Sequence, residues 1–296
     1  MTRPTGTTTW LDLSAQDVSA VMPFYSGLFG WEVEGLGEEF GGYRILRNDG
    51  KLVGGAMSVA GMTCPEGSPL PSEWGVYLTV DDVDARVARA REAGGGVVVP
   101  ADDIGDSGRM AVVLDSVGAP IEMWQPKQLE GYEFTGRPGS PVWFELMTHR
   151  YDDAAAFYTT VFDAELVPMG EEMDEGDDDF RYATNGPGES ASWGLCDAAG
   201  MMPEEAMGWR VYFGVESTEQ ALAKVQELGG SVLDGHERGS RDLTADGEAL
   251  DEAEGDEEDR PRVVAVLGRR QQSDADGGDA AMGSPRRDHA ARHVHL

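Results

Sequence analysis

Cysteine, histidine and lysine are scarce in this 296-residue chain, and each shortage narrows what it can do. The two cysteines, Cys64 and Cys196, stand far apart with no C-x-x-C pair. That spacing excludes a disulfide framework and a structural zinc cluster, and it predicts two thiols in a reducing compartment. Of five histidines, His149 sits beside Arg150, while His236, His289, His293 and His295 lie near the C-terminus. No apolar run approaches the ~20 residues that span a bilayer. Residues 1–6 also lack the apolar stretch of a signal peptide. The expected location is the cytoplasm, with no membrane partner. Lys51, Lys127 and Lys224 are the only lysines, beside twenty arginines and 55 acidic residues, and the net charge is −32. The 61 residues from His236 onward hold 15 acidic and 9 basic side chains, so most of the excess lies in the body of the chain. Such a surface repels phosphates, which excludes nucleic acid and anionic lipid as partners.

What the chain does contain is itself, twice. Trp10-Leu11-Asp12-Leu13 returns as Trp143-Phe144-Glu145-Leu146, and Phe24-Tyr25 as Phe157-Tyr158, both at an offset of 133 residues. Val76-Tyr77-Leu78 matches Val211-Tyr212-Phe213, and Gly94-Gly95 matches Gly229-Gly230, at an offset of 135. Residues 109–114 then resemble 262–267 at an offset of 153. The jump of 18 equals the length of 242–259, an acidic stretch without Lys or Arg. A period this long means two tandem modules, since solenoid units are much shorter.

Hydrophobic periodicity gives the order strand-helix-strand-strand-strand, twice in the first module. Strands are expected at 8–13, 31–33, 43–48, 52–59, 74–80, 97–100, 110–114 and 120–124. One helix follows the cap Asp17 and ends at Gly30; a second starts at Asp81-Asp82 and ends at Gly94-Gly95-Gly96. Breakers mark 127–139 as a linker, with Gly131, Gly136, Pro138 and Gly139 among them. The second module repeats the plan, with helices over 151–162 and 218–228. Dense like charge marks 171–179 and 242–259 as solvated loops.

A βαβββ unit used twice per module, with [aromatic]-x-[D/E]-L opening a strand and F-Y on the next helix, resembles the vicinal oxygen chelate superfamily. Val80-Asp81-Asp82-Val83-Asp84 and the run 115–123 add to the likeness. Glyoxalase I, extradiol dioxygenases and the bleomycin and fosfomycin resistance proteins belong to that superfamily. The closest pattern is that of tandem glyoxalase-like proteins. The resemblance implies an α+β fold of two modules, 7–126 and 140–267, each an eight-stranded mixed sheet curled into a cup. It also implies that the cup is the site. The second module looks incomplete, because no apolar alternation survives from Gly268 to Leu296. Residues 268–296 are expected to form a disordered tail, including its H-x-x-x-H-x-H pattern.

Enzymes of this superfamily hold a divalent metal from four strand positions. Carried onto this chain, those positions are Trp10, one near Ala56, Gly75 and Glu122, then Trp143, one near Leu195, and Arg210. Trp, Gly and Arg are not metal ligands, which leaves Glu122 with Asp12 and Glu73 as near neighbours. Those three would make an all-carboxylate set suited to a weakly held hard cation. The aromatic residues then dominate. Trp10, Asp12, Tyr77, Glu122 and Trp124 in the first cup, with Trp143 and Glu145 in the second, are the expected ligand-binding residues. An aromatic wall with a few carboxylates suits a flat or cationic organic molecule. The first expectation is therefore a small-molecule-binding protein of the glyoxalase and bleomycin-resistance type, with no cofactor and no catalytic metal. The alternative is a metal-dependent lyase or dioxygenase using Asp12, Glu73 and Glu122. A third possibility, an acidic loop 242–259 recruiting a basic partner, rests on charge alone.

Overall fold

The structure is a computed structural model that describes residues 3–64, 67–133, 136–169, 181–234, 262–267 and 293–295. The first βαβββ unit runs β1 (Thr8–Ala15), α1 (Val18–Phe29), β2 (Glu32–Gly35), β3 (Arg44–Asn48) and β4 (Lys51–Ser58). The second runs β5 (Glu73–Thr79), α2 (Val83–Glu92), β6 (Gly96–Ile104), β7 (Gly108–Leu114) and β8 (Pro120–Pro126). Asp17 caps α1 by accepting from the Ala20 amide, and Gly30 ends it in the left-handed region at φ 74°. Asp82 caps α2 in the same way through the Ala85 amide. The sheet order is β2-β3-β4-β1-β5-β8-β7-β6. Strand β1 pairs parallel with β4 and antiparallel with β5, and β5 pairs parallel with β8. Two four-stranded halves thus join along β1 and β5.

The second sheet is built from β9 (Pro141–Thr148), β10 (Val167–Met169), β11 (Tyr182–Thr184), β12 (Gly194–Asp197), β13 (Gly208–Val215), β14 (Ser231–Asp234), β15 (Arg262–Leu267) and β16 (His293–His295). Helices α3 (Tyr151–Phe162) and α4 (Thr218–Glu227) complete it, and the order is β10-β11-β12-β9-β13-β15-β16-β14. The expected α+β fold with two tandem modules is thus present.

The incompleteness of the second module has a definite form. Beside β5 stands β8, running parallel; in the matching place beside β13 stands β15, running antiparallel. By sequence β15 resembles β7, which does not touch β5 in the first sheet. Arg-Val-Val-Ala-Val-Leu is the last strongly β-branched run in the chain, so it is the segment suited to a central strand. Beyond it the structure describes only β16, paired with β15 and β14. The acidic stretches 171–179 and 242–259 lie outside the described residues, as does the rest of the segment expected to be a tail.

The two modules share one hydrophobic core, and their contacts are reciprocal. Gly95 faces the Phe157 ring, while its repeat partner Gly230 faces the Phe24 ring; a Cβ on either would come within 2.9 Å or 2.7 Å. Each module's first helix therefore packs against the other module's second unit. The Tyr25–Trp74 pair is edge-on at 5.4 Å, and the matching Tyr158–Trp209 pair is edge-on at 5.7 Å. Phe213 of β13 closes the centre against Phe29, Trp31 and Trp74. Arg86, only 3% exposed, ties α2 to α3 through Asp81, Asp163 and the Val161 carbonyl. Among the described residues, no helix is long and apolar enough to cross a membrane.

Candidate functional site

Strand alternation places Trp10, Asp12 and Ser14 on the same face of β1. The register sets Trp10 opposite Tyr77, Asp12 opposite Gly75 and Ser14 opposite Glu73. Across β5, Tyr77 is aligned with Glu122 and Thr79 with Trp124. Five of the residues singled out from the sequence, Trp10, Asp12, Tyr77, Glu122 and Trp124, are therefore neighbours on the adjoining strands β1, β5 and β8.

Asp12, at 4% exposure, is the hub. Tyr77 donates to its Oδ2 at 2.8 Å, and Tyr43 donates to the same oxygen at 3.3 Å. Trp10 Nε1 donates in turn to the Tyr43 hydroxyl at 2.9 Å. Burial pushes the Asp12 carboxyl up to about 6, although both tyrosine hydrogen bonds pull it down. Burial, followed by the charge of Asp12, raises Tyr77 and Tyr43 well above the usual phenol range.

Glu122 is 9% exposed. Burial raises its carboxyl well above the ordinary range, and the charges of Asp12 and Glu73 add to the effect. A backbone hydrogen bond at Val76 opposes the rise, but Oε2 is buried with no hydrogen-bond partner among the described residues. Gly75 is what lets this side chain in, because a Cβ there would lie 2.7 Å from Glu122 Oε1 and 3.2 Å from Asp12 Oδ1. Trp124 forms the neighbouring wall, with its Nε1 donating to the Leu129 carbonyl at 2.8 Å and its ring edge-on to Tyr77 at 6.4 Å.

The second cup repeats the hub. Trp143 Nε1 donates to the Tyr182 hydroxyl at 2.9 Å, and Tyr212 donates to Glu145 Oε2 at 2.6 Å. Trp143 and Glu145 therefore occupy the places of Trp10 and Asp12, but in a separate cup. Arg210 stands opposite Glu145 as Gly75 stands opposite Asp12. Tyr43 and Tyr182 escaped the sequence reading. Their signal was indirect: Gly55 and Gly194 sit opposite Asp12 and Glu145, and a Cβ on either would overlap the tyrosine hydroxyl.

The residues do not fit a catalytic divalent metal. Two of the transferred strand positions hold Trp10 and Gly75, which offer no donor. Asp12 Oδ2 is already taken by two hydroxyls, and the raised carboxyls of Asp12 and Glu122 favour protons. No group of three His, Cys, Asp or Glu side chains among the described residues could hold a metal ion, so Asp12, Glu73 and Glu122 are not gathered as a ligand set.

The glyoxalase-like domain model matches residues 9–123, the first sheet almost entire. CFP32 of Mycobacterium tuberculosis, named as a candidate glyoxylase, is 35% identical over 232 residues, covering 77% of this chain and 84% of that protein. The chain belongs to the glyoxalase-like family. The anthracycline biosynthesis protein DnrV of Streptomyces peucetius is 34% identical over 237 residues, covering 77% of this chain and 83% of its own. By fold, this glyoxalase-like chain is similar to the 2,3-dioxygenase LapB of Pseudomonas sp. KL28, with TM-score 0.55 and 11% identity over 100% of this chain and 93% of that one. It is also similar to the Mn(II)-bound glyoxalase of Novosphingobium aromaticivorans, with TM-score 0.52 and 12% identity over 100% and 83%. That likeness shows a shared fold, and the glyoxalase-like family match agrees with the resemblance that the strand motifs carry.

Proposed function

We propose that the first cup binds a small organic molecule without a catalytic metal, using Trp10, Tyr77 and Trp124 as apolar walls and Glu122 as its polar anchor. The observation that carries this reading is the buried Glu122 Oε2, which has no partner among the described residues and lies beside aromatic side chains. A buried polar atom left unpaired costs ~1–3 kcal/mol, which a bound hydrogen-bonding group would recover. With its carboxyl raised by burial, Glu122 keeps its proton to higher pH than an ordinary carboxyl does and, when protonated, donates to an acceptor such as a ketone or quinone oxygen. A planar aromatic carbonyl compound meets both requirements. DnrV, by its name, belongs to the biosynthesis of such compounds, so an anthracycline aglycone is a suitable probe.

The test is fluorescence or calorimetric titration with that aglycone. Trp10→Ala should weaken binding by ~2 kcal/mol or more, since truncating an anchoring aromatic commonly costs that much. Glu122→Gln keeps a donor and should leave affinity within about threefold, whereas Glu122→Met should lose tenfold or more. Equal affinity in all three variants would refute the site. The competing reading, a metal-dependent lyase or dioxygenase, draws on the fold's likeness to a Mn(II)-bound glyoxalase. It requires instead that Mn(II) bind stoichiometrically and that Glu122→Gln abolish this.

A further inference from the structure

The two cups have the same hub but a different ionisable group at one place. In the first, the space above Gly75 is entered by the Glu122 carboxyl from β8. In the second, no strand among the described residues pairs parallel with β13 as β8 does with β5, and position 210 carries an arginine instead of glycine. Arg210 is 5% exposed. A guanidinium is cationic at any working pH and offers five N–H donors. These donors are poorly matched here. Nη2 reaches the Met202 thioether and, at 3.5 Å, the Ala206 carbonyl. The guanidinium also hydrogen-bonds to the Tyr212 hydroxyl, but Nε is buried with no partner among the described residues. Glu145, the carboxylate in register with it, gives Oε2 to Tyr212, and no ion pair within 4.0 Å joins it to Arg210 among the described residues.

A thioether is a weak acceptor, and a buried cation with no carboxylate paired to it among the described residues is unfavourable. The surroundings are otherwise apolar and adaptable. Met147 is buried with Tyr182, Cys196 and Ala198, and Met202 and Met207 pack against that group. Flexible methionine side chains accommodate varied apolar shapes.

We propose that the second cup is a carboxylate site, in which Arg210 pairs with the carboxylate of an organic acid and Met147, Met202 and Trp143 receive its apolar remainder. Arginine suits this role because its planar fork matches a carboxylate in a two-bond arrangement. The site is separate from the first cup and would take an anion where the first takes a neutral hydrogen-bond acceptor.

The probe is benzoate, with benzamide as its neutral isostere, titrated calorimetrically into the whole chain. Benzoate should bind saturably and at least tenfold more tightly than benzamide. Arg210→Gln should abolish that preference, and Arg210→Lys should retain part of it. A second readout avoids reliance on a variant's fold: in the wild type, the buried Arg210 Nε–H resonance should shift on adding benzoate and not on adding benzamide. Equal affinity for the two probes, no saturable benzoate binding, or unchanged benzoate affinity in Arg210→Gln would overturn the proposal.

Discussion

Asp12 shows how one buried carboxyl connects the chemistry of the cup to the stability of the fold. Its carboxyl is raised to about 6 in the folded chain, from an ordinary value near 3.8, with burial as the main cause. The folded state therefore holds the proton more tightly than the unfolded state does. The sign follows from linkage: between about pH 4 and pH 6 this group's contribution to stability falls as pH rises. Over that window the change is on the order of 3 kcal/mol. Asp12→Asn removes the titration, so the variant should gain on the wild type as pH increases from 4 to 7. Urea denaturation at several pH values measures this, and a constant difference across the window would contradict it. Glu122 makes a parallel prediction for binding. Its raised carboxyl is the donor, so affinity for a carbonyl ligand should fall as pH rises through its titration, in a direction opposite to that expected for a cationic ligand. At this scale the sequence was legible where a residue's own type carries the chemistry, as with Trp10 and Asp12. It was silent on Tyr43, which lies 31 residues from Asp12 and meets it only because β3 and β4 pair.

Between elements, the joint of α2 with α3 carries the most specific contacts. Arg86 is buried, while Asp81 and Asp163 are largely exposed, so the value of this cluster lies in satisfying the guanidinium and the Val161 carbonyl. Arg86→Met should cost ~1–3 kcal/mol, in the range for losing a buried charge-assisted hydrogen bond. A midpoint shift below a quarter of that range would show that the two modules do not depend on the joint. Gly95 supplies a second test. A Cβ there would lie 2.6 Å from the Leu114 carbonyl oxygen and 2.9 Å from that of Ala90. Since backbone cannot yield as a flexible side chain does, Gly95→Ala should destabilise by ~1–3 kcal/mol. The sequence marked this glycine as a helix stop, and the structure adds the reason: the Phe157 ring of the other module rests against it. Helix caps and the order of elements along the chain were readable because they depend on neighbours in sequence. The exchange of helix contacts between modules was not, because the repeat fixes what each module is and not how two modules face each other.

At the scale of the whole molecule, duplication has left two cups with one hub and different charge. Glu122 is possible in the first because Gly75 leaves room, and Arg210 in the second stands where that room was. The repeat was plain in the sequence up to residue 267, yet the alignment of 262–267 with β7 misassigned its place, because pairing depends on which strand is available beside β13. Residues 242–259 lengthen the chain between β14 and β15, whose counterparts by sequence, β6 and β7, are joined without them. Loop length costs only ~0.6 kcal/mol per doubling, so deleting them should leave the melting temperature almost unchanged, and a large fall would show that they pack on the body.

The proposed first cup binds organic ligands without a metal. Calorimetric titration of Mn(II) into metal-stripped, untagged protein, with Glu122→Gln alongside, tests it most directly. We predict no stoichiometric binding that the substitution removes; any uptake unchanged in Glu122→Gln belongs elsewhere, for instance to the histidines near the C-terminus. One equivalent of Mn(II) per chain in the wild type, lost in Glu122→Gln, would contradict it.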